Sequence, residues 1–175
     1  TFLSDGRRLA VVSQQDSVTL LDPANPGASK RFDSGAGVQS ISISPDSKLI
    51  AFGSEHSYHG AELWPVTGTF WKSCIPITQD GVLALQFGSN GRFLAMGGDE
   101  TAQLWDLAEK RARFEVPGPY TVAVALSPDC EFMATAGVDG LRVWKTATGE
   151  QTGTFFTGGR IKSLAYSPDG SLLAA

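Results

Sequence analysis

One kind of turn recurs along this chain at a nearly constant interval, and that spacing restricts the fold more than any other feature. It reads Ser4-Asp5-Gly6, Ser44-Pro45-Asp46, Ser89-Asn90-Gly91, Ser127-Pro128-Asp129 and Ser167-Pro168-Asp169-Gly170. From Asp5 through Asp46, Asn90 and Asp129 to Asp169 the steps are 41, 44, 39 and 40 residues. A second marker, the end of a later apolar segment, falls at Leu21, Trp64, Trp105 and Trp144, with steps of 43, 41 and 39. Two independent markers that keep one period define a repeated supersecondary unit.

Each unit reads as β structure. Ahead of the turn, Ile41/Ile43, Leu83/Leu85/Phe87, Val122/Val124/Leu126 and Leu164/Tyr166 alternate with small or polar residues, the period of a strand. After it come short apolar runs such as Leu49-Ile50-Ala51-Phe52, Phe93-Leu94-Ala95-Met96 and Phe132-Met133-Ala134. Third strands follow at Val18–Leu21, Glu62–Trp64, Ala102–Trp105 and Leu141–Trp144, and weaker fourth strands pass through Phe32, Trp71 to Ile75, Phe114 and Phe155-Phe156. No apolar stripe at helical spacing is long enough for a helix. The 20 Gly and 9 Pro supply the positive and fixed φ values that tight reversals need. A lone four-stranded sheet cannot bury both faces, whereas stacked copies can, so the expected fold is all-β with sheets packed side by side.

The residues at these positions resemble the WD40 family. Leu104-Trp105-Asp106 and Val143-Trp144-Lys145-Thr146-Ala147-Thr148-Gly149-Glu150 are similar to its third strand and following turn, and Ile161 through Gly170 to its first strand and hairpin. The resemblance implies a β-propeller of four-stranded blades, about four of them present, as a partial propeller or a small ring. The expected blades are residues 1–37, 38–81, 82–120 and 121–160, with the start of a fifth at 161–175. Members of the family often carry a His–Ser/Thr–Asp–Trp network in each blade. Here the Trp positions match at Trp64, Trp105 and Trp144 and the Asp positions at Asp99 and Asp139, while Leu21 replaces the first Trp. The His is missing at Gly35-Ala36, Gly118-Pro119 and Gly158-Gly159. Each buried indole N–H then needs another acceptor, and packing is expected to dominate. Ser44 to Phe52 also resembles the propeller repeats of TolB-like proteins and prolyl-oligopeptidase-type enzymes.

The chain begins at Thr1 and ends within a second strand. The expectation is therefore a stretch of a longer propeller, with a closed four-blade ring or half of a dimeric ring as alternatives, and self-association through open blade faces.

Composition narrows the function classes. The 175 residues carry a net charge of −4, from 14 Lys+Arg against 18 Asp+Glu, and show no basic footprint for nucleic acid or an anionic membrane. The densest basic stretch, Lys110 to Arg113, is followed by Glu115 and reads as a solvated turn. No apolar run approaches the roughly 18 residues of a membrane span. Cys74 and Cys130, two blades apart, predict neither a disulfide nor a zinc site, and a reducing, cytoplasmic setting is expected.

His56 and His59 lie three apart beside Glu55 without an evident third ligand, so no metal is expected there. No nucleophile elbow, phosphate loop or cofactor motif is present, and Asp99-Glu100 and Asp129 with Glu131 sit in turns that the repeat already explains. No catalytic residue and no cofactor are predicted.

In propellers, the loops joining fourth to first and second to third strands gather on one face, which the resemblance implies binds peptides or protein domains. The candidate binding residues are His56, Tyr58 and His59 in a long turn, Tyr120 and Arg160 ahead of first strands, and Gln39 and Lys162 early in theirs. Trp71 is either a fourth-strand core residue or an exposed anchor. The function expected is a non-catalytic protein–protein interaction/scaffold or sensor module, one section of a larger signalling protein. The alternative is the propeller portion of a TolB-like or prolyl-oligopeptidase-type enzyme that gates or positions substrate.

Overall fold

Among the described residues the strands form antiparallel sheets, three of them with the four strands that the period implies. The computed structural model describes residues 1–13, 17–33, 37–54, 60–67, 73–75, 81–155 and 159–175. The chain forms two units, Thr1–Val82 and Leu83–Ala175.

In the first unit, β1 (Leu9–Ser13), β2 (Ser17–Leu21) and β3 (Lys30–Asp33) form one sheet in that order, extended by a bridge from Phe2 to Leu9. The next sheet holds β4 (Val38–Ile43), β5 (Leu49–Ser54), β6 (Ala61–Pro65) and β7 (Ser73–Ile75). In the second unit, β8 (Ala84–Phe87), β9 (Phe93–Gly97), β10 (Thr101–Asp106) and β11 (Arg111–Pro117) form a sheet. It is followed by β12 (Ala123–Leu126), β13 (Phe132–Gly137), β14 (Gly140–Lys145) and β15 (Gln151–Phe155). A short pair, β16 (Ala165–Tyr166) and β17 (Leu173–Ala174), ends the chain. Among the described residues the only helical turn is a 3-10 turn at Pro26–Ala28.

Burial follows strand position within a sheet. The second strands are closed in almost completely: Ile50 to Phe52, Phe93 to Gly97 and Met133 to Gly137 are all buried. The fourth strand β15 is mostly exposed. Second strands therefore read as continuous apolar runs, because residues on both of their faces are buried.

The cores lie between sheets. In the first unit Val18, Leu20 and Phe32 meet Ile50, Phe52 and the half-buried Trp64. The Phe32 ring stands edge-on to Phe52 at 5.9 Å and to Trp64 at 5.7 Å, within the range favoured for aromatic pairs. In the second unit Ala95, Leu104 and Val116 of one sheet pack with Val124, Met133 and Trp144 of the next. Ala136, Leu141 and Ile161 form a further cluster with Leu164 and Leu173.

The recurrent turn has a common internal wiring. Ser127 Oγ donates to Asp129 Oδ1 (2.5 Å) and accepts from the Phe132 N–H (3.0 Å), while Asp129 Oδ1 accepts from the Glu131 N–H (2.9 Å). Ser44 with Asp46 and Ser167 with Asp169 repeat it. The residue after the acidic position takes a left-handed φ in every copy: Gly6 65°, Ser47 56°, Gly91 66°, Cys130 59° and Gly170 73°. That conformation explains the preference for Gly, and the side-chain hydrogen bonds hold Ser47 and Cys130 in it without one.

Consecutive turns are also stitched together. The Ser4 N–H donates to Ser47 Oγ (2.9 Å) in the first unit, and Ser89 Oγ donates to the Pro128 carbonyl (2.5 Å) in the second.

At the opposite end of the strands, sheets approach so closely that only glycine fits. A Cβ on Gly137 would lie 2.5 Å from the Tyr120 carbonyl oxygen, and one on Gly97 2.5 Å from Thr121 Cγ2. Gly137→Ala is expected to cost about 1–3 kcal/mol, as overpacking does, because the contact is with backbone that cannot move aside. Chemical denaturation checks this; a midpoint equal to that of the parent would contradict the close approach.

Candidate functional site

The crossover from β11 to β12, at the loop end of the second unit, is tied down by backbone hydrogen bonds. The Gly118 N–H donates to the Glu100 carbonyl (3.0 Å), Tyr120 to Asp99 (2.7 Å) and Thr121 to Gly98 (2.9 Å), while Val122 donates to Ala136 of the next sheet (3.0 Å). Thr121 Oγ1, buried, donates to the Gly118 carbonyl (2.7 Å). The crossover is thus bound to the β9–β10 turn of its own sheet and to the end of β13 in the following one.

Those bonds set Tyr120 in the left-handed region, with φ 50°, although it is not glycine. Tyr120 is 47% exposed, and the Arg160 guanidinium lies over its ring at 5.7 Å. A bulky side chain in that conformation persists where its surroundings over-determine it, and such strain concentrates at ligand-contacting loops. Arg160 also lines an open depression of about 500 Å³, together with Gly159, Ile161, Lys162, Ser163 and Ala175.

The residues singled out from the sequence fall in several places. Tyr120 and Arg160, which occupy equivalent repeat positions, are brought together. Lys162 is exposed and lines the adjoining depression, but it precedes the strand expected to contain it. Strand β16 starts at Ala165 because its partner pairs only Ala174 with Ala165 and Leu173 with Tyr166. Gln39, in the first unit, is exposed in β4 at a register shift between Val38 and Ser40, a β-bulge that displaces it from the regular pairing. His56, Tyr58, His59 and Trp71 lie outside the described residues.

Asp99 and Asp139 occupy the turns between second and third strands. The Asp99 carbonyl holds Tyr120, and Asp139 pairs with Arg142.

The three tryptophans differ in burial. Trp144 is buried and its Nε1–H donates to Thr135 Oγ1 (3.0 Å), which supplies the acceptor that the missing histidine network would otherwise provide. Trp64 is half-buried and donates to Glu62 Oε2 (3.0 Å). Trp105 is half-buried at a register shift between β10 and β11, matched by the shift at Trp144 in the following sheet.

One expectation needs correction. Lys110 does lie in a turn, but Arg111 to Arg113 enter β11, and Arg113 folds inward: its guanidinium sits 5.4 Å from the Phe93 ring centre and 3.7 Å from Asp106. Buried Asp106 is the reason. Its carboxylate takes Arg92 Nη2 at 2.6 Å and Nε at 2.9 Å and accepts from the Ala108 and Glu109 N–H groups at 3.1 Å each. The Arg92 contact is the largest of the influences that hold the Asp106 carboxyl below its ordinary range, against the opposing effect of burial. Sequence spacing gave no sign of these cation partners, which come from a hairpin and a strand start on either side of Trp105-Asp106. Among the described residues no group of three His, Cys, Asp or Glu is placed to hold a metal, and no helix is long and apolar enough to cross a membrane.

Comparison with known proteins agrees with this geometry. The family model of the WD domain, G-beta repeat, matches residues 72–106, which take in β7 and then β8 to β10. The chain is similar to WD40-repeat proteins. It is 24% identical over 158 residues to the Protein LST8 homolog of Drosophila melanogaster, covering 83% of this chain and 50% of that protein. It is also 24% identical over 174 residues to the Transcriptional corepressor LEUNIG_HOMOLOG of Arabidopsis thaliana, covering 95% of this chain and 22% of that protein. The chain therefore spans half and about a fifth of the lengths of these relatives.

The carboxylates of this chain give its stability a pH dependence. Backbone and side-chain donors from Arg8 and Arg7 hold Asp5 at about 2, and the Ser167 hydroxyl with the Ser171 donors holds Asp169 at about 2, against an ordinary 3.8. Asp46, Asp129 and Asp106 are lowered as well. Groups with depressed folded values stabilise above the unfolded value and lose that contribution as the pH falls through the folded one. The melting midpoint should be flat at neutral pH, fall below about pH 4 and continue falling towards pH 2. Asp106→Ala should lower the neutral-pH stability by about 2 kcal/mol and make the acid slope shallower. A midpoint indifferent to acid, or a variant as stable as the parent, would contradict the assignment.

Proposed function

We propose that this chain is a non-catalytic protein-interaction module that binds a partner peptide or domain through the loop end of its second unit, with Tyr120 and Arg160 as the contact residues and Lys162 beside them. The observation that carries the reading is Tyr120 itself: an exposed aromatic, fixed in a strained backbone conformation by three flanking backbone hydrogen bonds and covered by an exposed arginine. Aromatic and arginine side chains dominate binding energy at protein interfaces, and a ring whose backbone is already fixed loses little freedom on binding.

Support also comes from the WD-repeat match over residues 72–106, since the resemblance implies a protein-binding role. Gln39, on the bulge of β4, is a second contact residue in the other unit, and His56, Tyr58 and His59 belong to the proposal on their sequence position alone. The partner is another protein rather than nucleic acid or membrane, since the chain carries net negative charge. The scaffold role within a longer protein and the cytoplasmic setting are part of the same reading.

Selection from a displayed peptide library tests it. Peptides retained by the parent chain should lose about tenfold or more in affinity to a Tyr120→Ala, Arg160→Ala variant, while Arg111→Ala, on another exposed strand, leaves them unchanged. Selected peptides whose binding ignores both Tyr120 and Arg160 would defeat the assignment of the surface, and a selection that returns no specific binder would defeat the function.

A further inference from the structure

The five hairpin turns share one acidic position, and it is filled by Asp in four copies and by Asn90 in the β8–β9 turn. We propose that Asn90 is a modification site whose side-chain amide is lost through attack by the Gly91 backbone nitrogen, giving a succinimide that water opens to aspartate or isoaspartate. In the first step the Gly91 nitrogen, giving up its proton to solvent base, bonds to Asn90 Cγ. The Cγ–Nδ2 bond breaks and ammonia departs with one proton. Water then adds to either imide carbonyl and breaks that carbonyl's bond to nitrogen. Opening on the Cγ side gives aspartate with the normal backbone, and opening on the other side gives isoaspartate. Water is the only co-reactant, and nothing is oxidised or reduced.

Three observations converge on this position. Asn90 is exposed at the hairpin tip, and Gly91 brings no Cβ to obstruct the approach of its own nitrogen. The Asn90 Oδ1 accepts from the Arg92 N–H at 2.9 Å and the Phe93 N–H at 3.3 Å, so the donors already point at the oxygen on which negative charge develops during attack. The Gly91 N–H is held by the Gly88 carbonyl at 2.9 Å, so the reaction needs only the local opening that releases this bond.

The turn is also built to accept one of the two products. At the equivalent positions the Asp5, Asp46, Asp129 and Asp169 carboxylates each accept backbone N–H groups, and all four are held below the ordinary carboxyl range. Aspartate at position 90 would therefore keep the two backbone bonds and strengthen them by its charge. Isoaspartate inserts a methylene into the main chain next to Ser89, whose hydroxyl ties this turn to the Pro128 carbonyl of the next sheet. The two products should have opposite effects on the same junction. Asn25, the other asparagine of the chain, is a built-in control, because Pro26 has no N–H to give up.

The full chain is incubated folded at mildly alkaline pH, then digested and mapped by mass spectrometry, and Asn90→Asp is prepared directly. The expected result is an amide-to-acid mass gain confined to the peptide containing Asn90, an isoaspartate fraction that melts below the parent, and an Asn90→Asp protein that melts at or above it. An Asn90 that stays amidated in the folded chain while the urea-unfolded chain converts would overturn the proposal. A clear loss of stability in Asn90→Asp would overturn the claim that the turn accommodates the carboxylate.

Discussion

The second strands of these sheets are apolar on both faces, so they cannot stand uncovered, and this requirement shapes the rest of the structure. It makes the second strands nearly pure apolar runs: Ile50 to Phe52, Leu94 to Met96 and Met133 to Ala134 are each at or below 1% exposure. Burial at about 25 cal/mol per Å² of apolar surface is the main source of stability for such a stack. It also sets how near the sheets come. Within the second unit the loop end closes to a separation that excludes any side chain at Gly97 and Gly137, and the turn end is joined by the Ser89 hydroxyl and the buried Cys130. The stack is held at both ends of its strands, and the interior between them is filled by Leu104, Met133 and Trp144.

Several polar groups inside that stack are supplied with partners from adjoining strands, while Gln103 Oε1 and Arg113 Nε are buried without one among the described residues. Asp106 is tied by two arginines and two backbone N–H groups, Trp144 by Thr135, and the Leu126 N–H by Gln86 Oε1 at 2.9 Å across neighbouring first strands. Leaving such groups unpaired would cost more than the bonds contribute, so they specify register more than they add stability. The same rigidity gives the loop end its chemical character. A crossover fixed by four backbone bonds can carry Tyr120 in a conformation that a loose loop would relax, and Arg160 finds a fixed ring to lie on.

Much of the fold was legible in the residues because it is repeated. The Ser-Pro-Asp turns and the tryptophan positions each kept the period, and the strands fall where the apolar alternation placed them. What the sequence concealed depends on contacts between repeats. Arg113 sits in a basic run that reads as solvated, and only the nearness of β9 and β10 shows that it folds over Phe93 towards Asp106. Lys162 continues an alternating pattern, yet strand pairing and not pattern decides where β16 begins. Of the candidate contact residues, Tyr120 and Arg160 could be named from their equivalent positions, but the left-handed backbone of Tyr120 has no sequence signature: a tyrosine after Gly118-Pro119 gives no hint of it.

Hydrogen exchange, followed amide by amide on the intact chain, tests the mutual covering of the sheets most directly. Amides of β5, β9 and β13, enclosed on both faces, should exchange slowest, those of β15 fastest among the long strands, and the gradient should run from second strand to fourth within each sheet. Uniform protection across each sheet, or slowest exchange in β11 and β15, would contradict an interior formed between sheets.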